Sequence, residues 1–134
     1  MARSALLYFI LVFAAGTVLG TIRTLVALPL IGPLPAVLVE IPLMLALSWW
    51  SLRLVLRLRP VPPVAMLRIG MGVLAFAFLM IAEFTLATLL GGLDPAGFVS
   101  GLVRPEGLAG LAAQLVFAAL PLLRLPLDRS CTTA

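Results

Sequence analysis

Arg23, Glu40 and Glu83 are the residues of this chain whose types and spacing could do chemistry. Each sits inside a long apolar run, where an ionised side chain costs about 2.5–3.5 kcal/mol at mid-helix and therefore needs a partner, water or a ligand. Arg23 lies nine residues before Gly32 and Glu40 eight after it, so a turn at Gly32 brings the two charges to nearly the same level. With a rise of 1.5 Å per residue, Glu83 stands roughly 21 Å beyond Ile69 and Glu40 roughly 18 Å before Leu52. All three then converge in one half of a bilayer. One guanidinium and two carboxylates sum to minus one when all are ionised. A low-dielectric medium leaves two arrangements: a buried clasp that fixes helix register, or a site where the less tightly paired glutamate holds a proton or a cation.

The remaining composition excludes several chemistries. All nine cations are arginines and histidine is absent. Lysine-based Schiff-base or P-loop chemistry, histidine-ligated haem, Ser-His-Asp triads and histidine zinc sites are thereby excluded. Cys131 is the single cysteine, so an intrachain disulfide and a paired-cysteine redox or metal site are excluded too. No nucleophile, metal or cofactor motif accompanies the carboxylates, and the expectation is a non-enzymatic protein with no cofactor and no metal. The net charge of +4 comes without a basic stripe interleaved with aromatic residues, so nucleic acid is not an expected partner.

The elements that must position the three charges follow from the hydropathy. The chain is 63% hydrophobic and 10% charged over 134 residues, with a mean hydropathy of +1.26, whereas a soluble domain carries about 25% charged residues. At roughly 20 apolar residues per crossing, the spans fall at about 4–28, 34–52, 66–90 and 107–123. The first run continues past Gly20 without a tidy cleavage site, which predicts an uncleaved span rather than a signal peptide. A charge-free Pro/Gly turn at 29–35 joins the first two spans; Arg53, Arg57, Arg59 and Arg68 surround the Pro60–Pro63 corner between the next two. These four, with Arg3, Arg124 and Arg129, fall on one side, and only Arg104 falls in the opposite loop. The positive-inside rule then puts both termini in the cytoplasm, with Trp49 and Trp50 as an aromatic anchor at the inner interface. The outer segment at about 94–104 opens on Asp94-Pro95, an N-cap and N1 pair, and carries Phe98, Val99, Leu102 and Val103 as the apolar face of a short interfacial helix. Pro105 and Glu106 open the last span, with the carboxylate near the positive end of the helix dipole.

Helical periodicity places the charges on faces suited to helix packing. Arg23 shares a stripe with Gly16, Gly20 and Ala27; Glu40 with Ala36, Met44, Leu47 and Ser51; Glu83 with Gly72, Ala75, Phe76 and Leu79. Gly110, Gln114, Ala118 and Pro121 make a comparable face on the last span, with Gln114 as its polar contribution to the interior. Thr21 and Thr24 flank Arg23, Thr85 and Thr88 follow Glu83, and their hydroxyls can reach carboxylates or backbone carbonyls. Pro42 removes a backbone donor two residues after Glu40 and predicts a helix kink that frees the Leu38 carbonyl, at the depth of Arg23.

In the segments Gly16-Thr-Val-Leu-Gly20-Thr-Ile-Arg23, Glu40-Ile-Pro42-Leu-Met44 and Ala82-Glu83-Phe84, the chain resembles a group of small four-span bacterial inner-membrane proteins without an assigned activity. The resemblance runs from Leu6 to Leu123; it implies the topology and supplies no substrate. The expected architecture is all-α, a single membrane domain of four antiparallel transmembrane helices with both termini inside. Its expected role is structural or in support of a partner complex, and the alternative is a small proton- or cation-coupled transporter or channel subunit using Glu40 and Glu83. The lipid bilayer is the expected partner, and beyond it a second copy of the chain or another membrane protein.

Overall fold

The computed structural model describes the backbone of residues 1–130 and the side chains through Leu127; Cys131 and the side chains of Asp128 and Arg129 lie outside the described residues. Among the described residues all regular structure is helical. Helix α1 (Ala2–Ile22) passes through a π-helical turn (Arg23–Ala27) into α2 (Leu28–Ile31). The others are α3 (Pro33–Leu58), α4 (Ala65–Leu89), α5 (Pro95–Leu102), α6 (Pro105–Leu123) and α7 (Leu125–Ser130). Four stretches, Ala2–Ile31, Pro33–Leu58, Ala65–Leu89 and Pro105–Leu127, are helices long and apolar enough to cross a membrane.

Local chemistry sets the breaks. Gly32 has φ of 84° between Ile31 and Pro33, a left-handed value that a residue without Cβ adopts at little cost. Pro33 then supplies the preset φ of a first helical residue. Helix α3 runs past the apolar stretch that ends near Leu52 and carries Arg53 and Arg57 with it, because Leu and Arg favour helix and no breaker comes before Pro60. Asp94 caps α5 by accepting the Gly97 N–H at 2.8 Å, and Pro95 follows at N1.

Helices α1 and α6 each pack against both α3 and α4. Lipid tails are as apolar as leucine, so helices in a membrane associate through close packing and hydrogen bonds. Gly72 gives the tightest seam: a Cβ there would run into the Ala118 carbonyl of α6. Gly16 plays a milder part, its missing Cβ leaving room for Met44 Cε at 3.2 Å. Across the middle, the Tyr8 hydroxyl donates to the Phe117 carbonyl at 3.2 Å. Their rings stack with centroids 4.6 Å apart, a contact worth about 0.5–1.5 kcal/mol beyond burial.

Burial is uneven along the helices. In α1 the buried residues are Ser4, Ala5, Tyr8 and Val12, and in α6 they begin only at Phe117. Together with Leu52, Val55, Met71 and Leu79 they fill the half that carries the arginine-rich link. In the half that carries the Gly32 turn and α5, the same helices stand apart around a cavity.

Arg68 departs from its expected place. It is 2% exposed, on the α4 face that also buries Met71, Gly72, Ala75 and Leu79. Helix α4 starts at Ala65, so Arg68 falls in its first turn on the inward stripe, while Arg53, Arg57 and Arg59 are exposed. Of the four arginines read as one link cluster, three are at the surface.

Candidate functional site

A cavity of about 860 Å³ occupies the open half, walled by α1, α3, α4 and α6 and bordered by Gly101 and Leu102 of α5. Val12, Ser48, Leu79 and Phe117 line its end nearest the packed half, where the Tyr8–Phe117 stack lies just beyond. Arg23, Glu40, Glu83, Glu106 and Gln114 all line it. The structure therefore brings the three isolated charges to one space and adds a third carboxylate.

Arg23 and Glu40 form the direct ion pair, Nη1 to Oε2 at 2.8 Å, with side chains 36% and 13% exposed. That oxygen has no hydrogen-bond partner by direction, so the two groups attract without an aligned N–H···O bond. Arg23 is also the residue at which α1 widens into its π turn. Such a turn inserts one residue per turn and re-aims the side chains around it, and it recurs at functional sites. Pro42 lies on an exposed face, and α3 continues through it to Leu58. Arg23 pairs with the Glu40 carboxylate, where the sequence also allowed the Leu38 carbonyl.

Glu83 has a different partner. Gln114 Nε2 donates to Glu83 Oε1 at 2.6 Å, joining α4 to α6. The other amide atom, Gln114 Oε1, is buried with no hydrogen-bond partner. Thr21 and Thr24 also line the cavity, but their hydroxyls donate to the Thr17 and Gly20 carbonyls at 2.8 Å. Thr85 and Thr88 likewise bond back to their own helix, to Ile81 and Phe84. The threonines thus satisfy the backbone, not the carboxylates.

Two lining residues carry more than the sequence reading assigned. Glu106 sits in the first turn of α6, where a carboxylate suits the dipole, and it also borders the cavity. It lies four residues before Gly110 and eight before Gln114, so the stripe drawn from Gly110 extends to it. Ser48 is 1% exposed and lines the closed end; its hydroxyl gave no signal in an otherwise apolar run. Near the arginine-rich end, Arg124 stands 5.7 Å over the Trp49 ring, a cation–π contact, while Trp50 is exposed. Above the cavity, Phe98 of α5 meets Phe84 of α4 edge-on at 5.3 Å.

No protein-family model, curated protein or solved structure matches the chain. Among the described residues no group of three potential metal ligands occurs.

Proposed function

We propose that the chain is a small multi-pass protein of the bacterial inner membrane, a carrier or channel subunit that takes a proton or a cation at Glu83 and catalyses no covalent reaction. Its four spans are antiparallel and both termini are cytoplasmic, as seven arginines on one side against Arg104 on the other require. In that orientation the end of the cavity lined by Leu28, Pro33, Gly101 and Leu102 lies toward the outer face, with α5 along the outer interface. The protein works as an oligomer or with a membrane-protein partner.

The observation that carries this reading is the single cavity reaching both Glu40 and Glu83. A dry, closed clasp supports only a role in register; a space of this size beside a carboxylate supports exchange with solvent and solute. The roles divide between the residues. Arg23 and Glu40 neutralise one another and hold α1 to α3. Glu83 is held by the neutral Gln114 amide at 2.6 Å and is the carboxyl group at which a proton or a cation can be taken up. A scaffold for a partner complex is the second reading, and the ion pair between Arg23 and Glu40 is what favours it.

The test is flux in vesicles reconstituted with equal amounts of wild-type and Glu83→Gln protein, with internal pH and alkali-cation dyes as readouts under an imposed membrane potential. Wild-type protein is expected to exceed empty vesicles and Glu83→Gln to match them. Wild-type flux equal to that of empty vesicles would leave the scaffold reading standing.

A further inference from the structure

We infer that the cavity binds a monovalent organic cation with a bulky apolar body, an alkylated or arylated onium ion, with Glu83 and Glu106 holding the charge. This rests on the carrier reading of the same site and names its substrate class.

Charge selects the sign. Arg23 is the one cationic residue lining the cavity, and Glu40 engages it at 2.8 Å. Among the described residues neither Glu83 nor Glu106 is within ion-pair distance of a cation. Gln114 covers one Glu83 oxygen at 2.6 Å, and its own buried Oε1 adds an acceptor without a hydrogen-bond partner. An anion would meet two carboxylates. A neutral acyl chain would bring no charge and no donor to either carboxyl group and would only remove their water.

Size and lining select the body. About 860 Å³ falls in the range of roughly 300–1,000 Å³ that takes drug-sized ligands, and far exceeds what an inorganic ion needs. Val37, Met44, Leu79, Leu86, Leu111 and Phe117 contribute apolar wall. A small hard cation needs a shell of about six oxygens to replace its water, and among the described residues no group of three acidic, histidine or cysteine ligands stands together. An onium ion needs none, since its charge is spread and its surface is apolar. Phe13 lies half-buried among the lining residues, and aromatic faces attract such cations.

The experiment uses the full-length protein in lipid nanodiscs with tetraphenylphosphonium and its isosteric anion tetraphenylborate, by equilibrium dialysis against matched empty nanodiscs. Tetraphenylphosphonium is expected to bind saturably above the empty-disc baseline, and tetraphenylborate is not. Glu83→Gln and Glu106→Gln are each expected to weaken phosphonium binding about tenfold. Gly110 lines the cavity and a Cβ there meets nothing within 4 Å. Gly110→Leu should therefore keep or raise the unfolding temperature, leucine being the better helix former, and abolish binding. Equal saturable binding of the two ions, or unchanged phosphonium affinity in Gly110→Leu, overturns the proposal. Proton or alkali flux without phosphonium binding would remove the substrate class and keep the carrier reading. Phosphonium binding to a protein that moves no ion would do the reverse.

Discussion

Arg23→Ala isolates the clasp. Removing one partner from a fully buried ion pair costs about 3–5 kcal/mol, and an exposed pair contributes about 0–1 kcal/mol. Here Glu40 is 13% exposed but Arg23 is 36% exposed, and their 2.8 Å contact lacks hydrogen-bond alignment. The expected loss lies between those limits, at about 2 kcal/mol. Most of it comes from stranding the Glu40 carboxylate. Glu40→Gln added to Arg23→Ala should therefore recover more than half of the loss. Glu40→Gln alone should cost less than Arg23→Ala, because the long, 36% exposed Arg23 side chain can swing its charge away from the packed interior, which the short Glu40 cannot. The assay is equilibrium unfolding in mixed micelles with increasing dodecyl sulfate, followed by the fluorescence of Trp49 and Trp50. A double-mutant coupling of at least about 1 kcal/mol is expected, and one within the additivity scatter of about 0.3–0.5 kcal/mol would refute the clasp.

Two further outcomes follow from the same geometry. Gly72→Val should lower the dodecyl sulfate midpoint sharply, by about 1–3 kcal/mol or more, because its side chain has only the Ala118 carbonyl to move into. Replacing Arg53, Arg57 and Arg59 together with Gln should yield mixed orientations in a C-terminal reporter-fusion assay; a uniformly cytoplasmic C-terminus would contradict their topological role.

Much of the fold was legible because the signals are strong and local. Long apolar runs, Pro/Gly punctuation and the Asp94-Pro95 cap specify helices and breaks by themselves. The small-residue stripes were legible as well, and Gly72 against Ala118 and Gly16 against Met44 show why: only residues without bulk allow such approach. The site was legible in part. Depth arithmetic brought Arg23 to Glu40, and the stripe on the last span brought Gln114 inward, but which group would hold which carboxylate depends on how far the helices splay. The splay itself depends on packing between distant residues such as Tyr8 and Phe117, which no local pattern encodes. Arg68 was readable and missed: it lies on the stripe of Gly72, Ala75 and Leu79, and its charge drew attention to the link instead. Glu106 was missed for a related reason, its helix-start position already explaining a carboxylate. The π turn at Arg23 has no sequence signature that distinguishes it from continued α-helix.

The most direct test of the central claim is whether water reaches the cavity between the four helices. In a Cys131→Ser background, Gly110→Cys places a thiol on the cavity wall, and Ile81→Cys places one on the exposed apolar face of α4. Thiols react with maleimide as thiolates, which form only in contact with water. A membrane-impermeant maleimide applied to intact vesicles should modify Gly110→Cys at a rate close to that of a loop cysteine and leave Ile81→Cys unmodified. A thiol at position 110 as inert as the one at position 81 would show a dry interior and contradict a solute site at Glu83.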